Sequence, residues 1–285
     1  SAPQNLDQTS LLDLMKKHGI RQIPLVDDEN RVVDLFVLED ILGSRDSAEK
    51  LPITAVIMAG GLGTRLRPLT YDVPKPMLPL AGRPMLEWII EGLNRSGIED
   101  FIITTFHRAE VITEHFGDGS TLDVNIDYVH ETTLTGTAGA LSSLENWNRA
   151  IMVINGDILT KVDFAKMWHF HQSNNAKMSV AIREHQVTIP YGTIELDDAR
   201  ITQILEKPTI QSFINAGIYI ISPETKQYFP PKNEFFDMTD LIERLIENDE
   251  PVVGFPITEY WLDIGQHHQY EQARSDVHKL TDQDS

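Results

Sequence analysis

The chain has 285 residues, of which 41% are hydrophobic, a net charge of −19 at pH 7 and no cysteine. This length allows one large domain or a medium domain plus a small one, and the missing cysteines exclude disulfides and zinc–thiolate sites. The acidity argues against nucleic-acid binding through a basic face, and no apolar run reaches the ~18 residues of a membrane span. We expect neither a secretion signal nor membrane association, and therefore a cytoplasmic protein.

The first 50 residues predict a small unit of helix, two strands and helix. Apolar residues at helical spacing end at His18-Gly19, and two strand-like runs follow on either side of a polar turn. The first helix carries Leu11, Leu12, Leu14 and Met15, the strands span residues 22–26 and 32–38, and the second helix begins over residues 38–42.

This unit, with the string HGIRQIPLVDDENRVVDLFVLEDIL, resembles the later part of a CBS motif. The resemblance implies pairing, because CBS motifs work in pairs that often bind an adenine nucleotide. One incomplete motif leaves an apolar face, which we expect to pack on the main domain or on a second chain. A docking element without ligand is favoured, and an adenine nucleotide is expected only at an intact CBS pair. We therefore predict a partial CBS domain over residues 1–50 and a larger domain over residues 51–285.

From Pro52 onward, strand-like and helix-like runs alternate. The predicted strands are residues 55–58, 101–105, 124–129, 151–154 and 178–183, and the predicted helices are residues 85–96, 109–116 and 138–144. This order is typical of an α/β, Rossmann-like fold, with a mostly parallel mixed sheet and helices on both faces. Gly60 and Asp157 directly follow predicted strands, so we expect them on the same edge of the sheet.

The last third predicts short strands over residues 192–196, 200–206 and 216–221, and a helix over residues 236–247. We interpret the strands as a small lobe over that edge, able to hold a second substrate.

A glycine-rich loop, Gly60-Gly61-Leu62-Gly63, follows the apolar run of residues 53–58 and is followed by Arg65 and Lys75. Backbone N–H groups in such a loop can approach a phosphate closely, and two cations suit a polyphosphate. The loop lacks the Gly-Lys-Ser/Thr of a Walker sequence and the glycine spacing of the dinucleotide fingerprint, which makes a nucleotide-dependent dehydrogenase a poor alternative.

The longer string AGGLGTRLRPLT…PKPMLPLAGRPMLE resembles the signature of sugar-1-phosphate nucleotidyltransferases, also called NDP-sugar pyrophosphorylases. Further strings follow in the family's order: FGDGS, GTAGAL, INGDILT, PYGTI, EKP, FINAGIYI and EYWLDIG. The resemblance covers nearly all of residues 53–275. It implies attack of a sugar-1-phosphate oxygen on the α-phosphorus of an NTP, with release of pyrophosphate and no covalent enzyme intermediate.

The resemblance also implies roles for charged residues. Asp157 and Asp263 would hold one Mg²⁺, a cation that prefers hard oxygen ligands. Arg65 would bind the β- and γ-phosphates, Lys75 the α-phosphate and Lys207 the phosphate of the sugar. The catalytic set is therefore Arg65, Lys75, Asp157 and Lys207.

The nucleotide and sugar pockets follow from the same resemblance. Glu131 would face the nucleobase, and because a carboxylate only accepts hydrogen bonds, it suits the adjacent N–H groups of guanine. GTP is therefore the expected donor and CTP the next candidate, while a solvated glutamate is about equally plausible. The nucleotide-binding set is Ala59, Gly60, Gly61, Gly63, Thr64, Glu131, Gly136 and Thr137, and the sugar-binding set is Gly192, Glu206, Asn215 and Gly217.

Two departures from the family pattern leave the substrate open. Thr135 stands where a leucine often precedes Gly-Thr-Ala-Gly, and Phe106-His107 replaces a common Asn-Tyr. The paired histidines His169/His171 and His267/His268 have a spacing that does not favour a metal site.

The combination of a partial CBS motif and a transferase resembles guanylyltransferases of legionaminic-acid-type pathways, with glucosamine-1-phosphate as the sugar. Mannose-, glucose- or heptose-1-phosphate with another NTP, and a non-catalytic nucleotide-sugar sensor, are the alternatives. A homodimer is expected because dimers are common in the family.

Overall fold

The computed structural model describes residues 2, 3, 6, 14, 22–27, 31–37, 50–144 and 147–277. The chain divides into two compact units, Ser1–Ala48 and Glu49–Ser285. Among the described residues no helix is both long and apolar enough to cross a membrane.

The first unit contains a three-stranded sheet. Its strands are β1 (Ala2–Pro3), β2 (Gln22–Val26) and β3 (Val32–Val37), with β1 parallel and β3 antiparallel to β2. Ala2, Ile23 and Leu25 form its buried cluster. The two predicted strands match to within one residue, whereas the two predicted helices lie outside the described residues, apart from Leu14, which is helical. The resemblance to a CBS motif stays a prediction.

The second unit is built on a seven-stranded mixed sheet. The seven strands are β4 (Thr54–Met58), β7 (Asp100–Thr105), β8 (Asn125–His130), β9 (Ile151–Asn155), β11 (Met178–Thr188), β14 (Thr209–Ile221) and β15 (Val252–Pro256). Their order in the sheet is β15-β11-β14-β9-β4-β7-β8, and β14 runs antiparallel to both of its neighbours, while the other pairs are parallel. Three two-stranded pairs complete the strands: β5 (Pro79–Leu80) with β6 (Arg83–Pro84), β10 (Ile158–Thr160) with β16 (Trp261–Asp263), and β12 (Thr193–Asp197) with β13 (Arg200–Leu205).

Helices cover both faces of this sheet. They are α1 (Met85–Arg95), α2 (Ala109–Phe116), α3 (Gly136–Gly139), α4 (Phe164–Ser173) and α5 (Met238–Glu247). A further helix, α6 (His267–Asp276), packs in a separate cluster with β10 and β16. Short 3₁₀ turns occupy Thr64–Leu66, Lys75–Met77, Ser120–Leu122, Ala140–Ser143 and Pro223–Tyr228.

The alternation of side chains along β4 shows why both faces need cover. Ala55 and Ile57 point into the cluster that contains α1, α2 and α4, while Val56 points into the cluster that contains α3 and α5. All three side chains are fully buried. A strand buried on both faces is uniformly apolar, which is how residues 55–58 could be predicted from sequence. The predicted α/β class is confirmed.

The lobe differs from the prediction in the length of its supporting strands. β11 extends to Thr188 and β14 begins at Thr209, seven residues before the predicted start at Ala216. Beyond the core the two strands are exposed and pair through their backbones, from Arg183–Ile214 to Thr188–Thr209. The hairpin β12–β13 completes the lobe, and its residues are exposed except for the half-buried Thr193.

Candidate active site

The cleft of the second unit lies at the carboxyl ends of β4 and β9. These strands are parallel neighbours with Met58 opposite Asn155, so the loops that follow them leave the sheet side by side. The amide of Gly156 donates to the carbonyl of Met58 at 3.0 Å, which joins the two loops. A Cβ at Gly156 would lie 2.9 Å from that carbonyl oxygen, so the contact requires glycine.

The cleft encloses about 550 Å³. The predicted site residues that line it are Gly60, Gly61, Gly63, Thr64, Arg65, Lys75, Glu131, Gly136, Thr137, Asp157 and Asp263. Ala59 is buried directly behind the glycine loop and does not line the cleft. The structure therefore brings together residues that are separated by up to about 200 positions in sequence.

A turn at Gly63 fixes the conformation of the glycine loop. Gly63 adopts a left-handed conformation with φ of 61°, and its carbonyl accepts a hydrogen bond from the Thr70 hydroxyl at 2.8 Å. A Cβ at Gly63 would lie 3.0 Å from the Thr70 side chain and 3.2 Å from Lys75 Cβ. Glycine satisfies both constraints, and the following 3₁₀ turn carries Arg65 at the edge of the cleft.

Four ionic side chains converge on one end of the cleft. Lys75 forms an ion pair with Asp157, and both side chains are largely buried. Strand β16 pairs with β10 so that Asp263 lies opposite Ile158, and Ile264 N donates to the carbonyl of Asp157 at 3.0 Å. The register therefore places Asp263 beside Asp157.

Arg65 approaches the same place from the glycine loop. A Cβ added at Gly265 would lie 3.5 Å from the Arg65 Nη1 atom. The small residue at position 265 therefore leaves room for the guanidinium, two positions beyond Asp263.

The electrostatics of this end favour a cation. The pKa of Asp263 is raised, first by burial and then by the neighbouring Asp157 carboxylate, while the charges of Lys75 and Arg65 act in the opposite direction. Two adjacent, partly buried carboxylates fit a hard divalent ion such as Mg²⁺, which typically takes one or two protein carboxylates plus phosphate oxygens. Within the described ranges no group of three or more His, Cys, Asp or Glu residues is arranged to hold a metal by itself.

Glu131 also lines the cleft and directly follows β8. Its amide donates to the carbonyl of Thr105 at 2.8 Å, and a Cβ added at Gly60 would lie 2.5 Å from its Oε1 atom. The Thr135 hydroxyl donates to its Oε2 atom at 2.7 Å. The carboxylate thus packs against the glycine loop and faces the cleft.

The short helix α3 beside Glu131 is fastened to the segment before α5. The amides of Ala138 and Gly139 both donate to the carbonyl of Phe236, at 2.9 and 2.8 Å. The carboxylate of Asp237 accepts from the Thr137 amide at 2.8 Å and from the Thr137 hydroxyl at 3.1 Å. We call residues 135–139 and 235–237 together the base platform.

Several cleft residues were absent from the predicted sites: Met58, Leu62, Leu66, Leu134, Thr135, Asn155, Phe235, Asp237 and Gly265. Leu134 and Phe235 are 49% and 67% exposed, so they offer apolar surface within the cleft. Asp237 carried a usable signal, because Asp237 and Asp240 have the spacing of a helix N-terminal capping box.

The predicted sugar-binding residues do not line the cleft. Glu206 and Gly192 lie together on the lobe, where a Cβ at Gly192 would be 3.1 Å from Glu206 Oε2. Lys207 is exposed beside them, in a left-handed conformation with φ of 47°. Asn215 and Gly217 lie where β14 re-enters the core, and a Cβ at Gly217 would be 2.7 Å from Asn155 Nδ2. Gly217 therefore adjoins the cleft residue Asn155, whereas Gly192, Glu206 and Lys207 lie apart from it on the lobe.

The histidines have other partners. His171 is 4% exposed, and its ring nitrogens are each 2.9 Å from the hydroxyl oxygens of Ser179 and Ser222. Burial lowers the pKa of His171 to about 4, so its ring is neutral at physiological pH. This histidine is a structural residue of the core.

Comparison with known proteins identifies the family. Residues 54–280 match the family model described as nucleotidyl transferase. A mannose-1-phosphate guanylyltransferase of Mycobacterium tuberculosis is 34% identical over 233 residues, which are 79% of this chain and 64% of that protein. A D-glycero-alpha-D-manno-heptose 1-phosphate guanylyltransferase of Aneurinibacillus thermoaerophilus is 31% identical, covering 78% of this chain and 97% of that protein.

A UTP–glucose-1-phosphate uridylyltransferase of Synechocystis is 30% identical over 77% of this chain and 62% of its own length. The chain thus spans less than two thirds of several curated relatives. Among solved structures, HddC from Yersinia pseudotuberculosis superposes with a TM-score of 0.61 at 27% identity, over 79% of this chain and 99% of that one. The glycine loop, the mixed sheet and the family match agree, and the chain belongs to the nucleotidyl transferase family.

Proposed function

We propose that this protein transfers a nucleoside monophosphate from an NTP to a sugar-1-phosphate, which yields an NDP-sugar and pyrophosphate. The observation that carries the proposal is the meeting of Arg65, Lys75, Asp157 and Asp263 beside an open glycine loop in one cleft. Two cations and free backbone amides can hold a triphosphate, and the relatives named above carry names of this reaction type.

The chemistry asks for charge control rather than for a general base. The attacking oxygen belongs to a phosphate monoester, which is largely dianionic at neutral pH, so no proton has to be removed from it. A bond forms between this oxygen and the α-phosphorus, and the bond from the α-phosphorus to pyrophosphate breaks. In this proposal Lys75 would counter charge on the α-phosphate, while Arg65 and the loop amides would hold the departing phosphates.

Mg²⁺ is part of the proposal. Asp157 and Asp263 would hold the ion, and its chemistry is the neutralisation and alignment of phosphate groups. Lys75 forms an ion pair with Asp157. Because a lysine ammonium has three donors, Lys75 could hold this carboxylate and a phosphate oxygen at the same time.

GTP is the proposed donor. Within the described residues Glu131 forms no ion pair, and its carboxylate lies in the cleft beside the base platform. Guanine has adjacent N–H groups that can donate hydrogen bonds to a carboxylate. The guanylyltransferase relatives support this choice, and the uridylyltransferase relative makes UTP the alternative.

The sugar phosphate is proposed to lie between the cleft and the lobe, near Lys207 and Glu206. Glucosamine-1-phosphate is our first candidate, with legionaminic-acid-type synthesis as the pathway. Mannose- and heptose-1-phosphate are the candidates that the relatives favour. A homodimer, a cytoplasmic location where NTPs are available, and an adenine nucleotide at a completed CBS pair belong to the same proposal.

A crossed panel tests the proposal. Pyrophosphate release is measured for GTP, CTP, UTP, dTTP and ATP against four sugar-1-phosphates, with Mg²⁺ and with EDTA. Asp157→Asn should reduce the rate at least 100-fold, whereas the matched change Asp127→Asn at an exposed position of β8 should leave it unchanged. Nucleotide binding without any release of pyrophosphate would instead support a non-catalytic sensor.

A further inference from the structure

Thr135 is a buried polar residue of the cleft that the proposed chemistry does not use. It is 5% exposed, and its hydroxyl donates to Glu131 Oε2 at 2.7 Å. Buried hydroxyls in proteins are usually satisfied by nearby backbone or water. Here the partner is a carboxylate that lies in the cleft, and a charge-assisted hydrogen bond of this length is strong enough to fix an orientation.

Thr135 is itself held firmly. A Cβ added at Gly139 would lie 2.6 Å from Thr135 Cβ and 3.0 Å from its hydroxyl oxygen, so the threonine side chain packs directly on this glycine. The carbonyl of Thr135 accepts a hydrogen bond from Phe236 N at 2.8 Å. The donor therefore belongs to the base platform and has little freedom to turn away.

The opposite side of the Glu131 carboxylate is closed by the glycine loop. Oε1 lies so close to Gly60 that any side chain there would collide with it. A carboxylate has about four acceptor positions, and Thr135 occupies one of those on Oε2. With one oxygen anchored and the other against the loop, the plane of the carboxylate is set before any ligand arrives.

We propose that Thr135 is a positioning residue for nucleobase recognition, which holds Glu131 so that both of its oxygens can accept from adjacent N–H groups of the base. This inference rests on the proposed function, since it assumes that Glu131 reads the base. It names Thr135 as the residue that orients Glu131. It also names the ligand group that Glu131 would recognise, a base edge with two neighbouring hydrogen-bond donors, as in guanine. Pre-orientation raises affinity because the ligand does not have to order the side chain itself.

The test compares Thr135→Val, which keeps the shape and removes the hydroxyl, with Thr135→Ser, which keeps the hydroxyl. Calorimetric Kd values are measured for GTP and for inosine triphosphate, which lacks the 2-amino group. Thr135→Val should weaken GTP about tenfold and inosine triphosphate clearly less, and Thr135→Ser should stay within about twofold of the wild type. Thr133→Val, at an exposed position of the same loop, is the matched control.

A double-mutant cycle separates positioning from a general loss of packing. In a Glu131→Ala background, Thr135→Val should have no further effect on GTP binding. Thr135→Ala serves in the same cycle if the valine variant does not fold. Unchanged GTP affinity, an equal loss for both nucleotides, or a loss that persists without Glu131 would overturn the inference.

The same measurements separate this inference from the proposed function. Wild-type protein that binds GTP, with or without turnover, allows the Thr135 comparison to be decided on binding alone. Wild-type protein that binds neither nucleotide would overturn the proposed GTP specificity and this inference together. Tight GTP binding that Thr135→Val leaves unchanged would overturn only the inference.

Discussion

Replacement of Asp237 tests how the base platform is held together. Asp237→Ala removes one carboxylate oxygen that accepts two hydrogen bonds from Thr137, at 2.8 and 3.1 Å. Each bond to a partly exposed acceptor contributes about 1 kcal/mol, so the variant should lose about 2 kcal/mol of unfolding free energy. For a unit of this size about 2 kcal/mol lowers Tm by roughly 4–8 °C.

Differential scanning calorimetry measures this loss, and GTP binding is measured on the same samples. Asp237→Asn keeps an acceptor oxygen and should lose less than half as much, while Glu243→Ala, an exposed acidic residue of α5, should shift Tm by about 1 °C or less. Because the platform carries Gly136 and Thr137, Asp237→Ala should also weaken GTP binding about fivefold. A Tm of Asp237→Ala within 1 °C of the wild type would refute the reasoning.

Because the pKa of Asp263 is raised above its unfolded value, its carboxylate form lowers stability at pH 7, and Asp263→Asn should raise the Tm of metal-free protein and abolish any rise on adding Mg²⁺. The pKa of His171 falls from 6.5 unfolded to about 4 folded, so its contribution is complete above pH 6.5 and is lost as the pH falls towards 4. That loss is about 3 kcal/mol, and urea titrations of wild type and His171→Asn between pH 7 and 4 should show a shallower pH dependence in the variant. Phe235→Ala removes exposed aromatic surface from the cleft and should raise the KM for the NTP several-fold with little change in kcat in steady-state assays.

Sequence reasoning predicted the core of the second unit well because its strands are buried on both faces. Residues 151–154 form a continuous apolar run, and residues 178–181 are apolar except for Ser179, so both fit a central strand better than an exposed element. The outer half of β14 could not be found this way. Residues 209–214 alternate little, are mostly exposed, and are strand only because they pair with the backbone of β11.

The residues of the candidate site likewise fall into those that local sequence patterns predict and those that they do not. Gly60, Arg65 and Lys75 could be predicted from the sequence because they lie within one short string. Asp157 could be predicted because it directly follows an apolar strand. The capping-box spacing marks Asp237 as the start of a helix, but it does not predict what Asp237 contacts. Phe236 and Asp237 bond to the Thr135–Gly139 turn across about 100 intervening residues. Contacts at such separation depend on the path of the whole chain, which local patterns do not encode.

The continuity of β11 and β14 also determines how the outer part of the molecule can move. Both strands extend from the buried sheet into solvent, and ten residue pairs join them on either side of one register shift. The lobe can therefore approach the cleft only if the paired strands β11 and β14 bend. Over these described residues no loop acts as a hinge between the core and the lobe. The register shift between Val180 and Ile182 breaks the regular β11–β14 pairing where the strands leave the core, so bending should concentrate there. A ligand bound between the cleft and the lobe would have to bend these two paired strands. The stiffness of the strand pair would then determine how far the lobe can move away from the cleft.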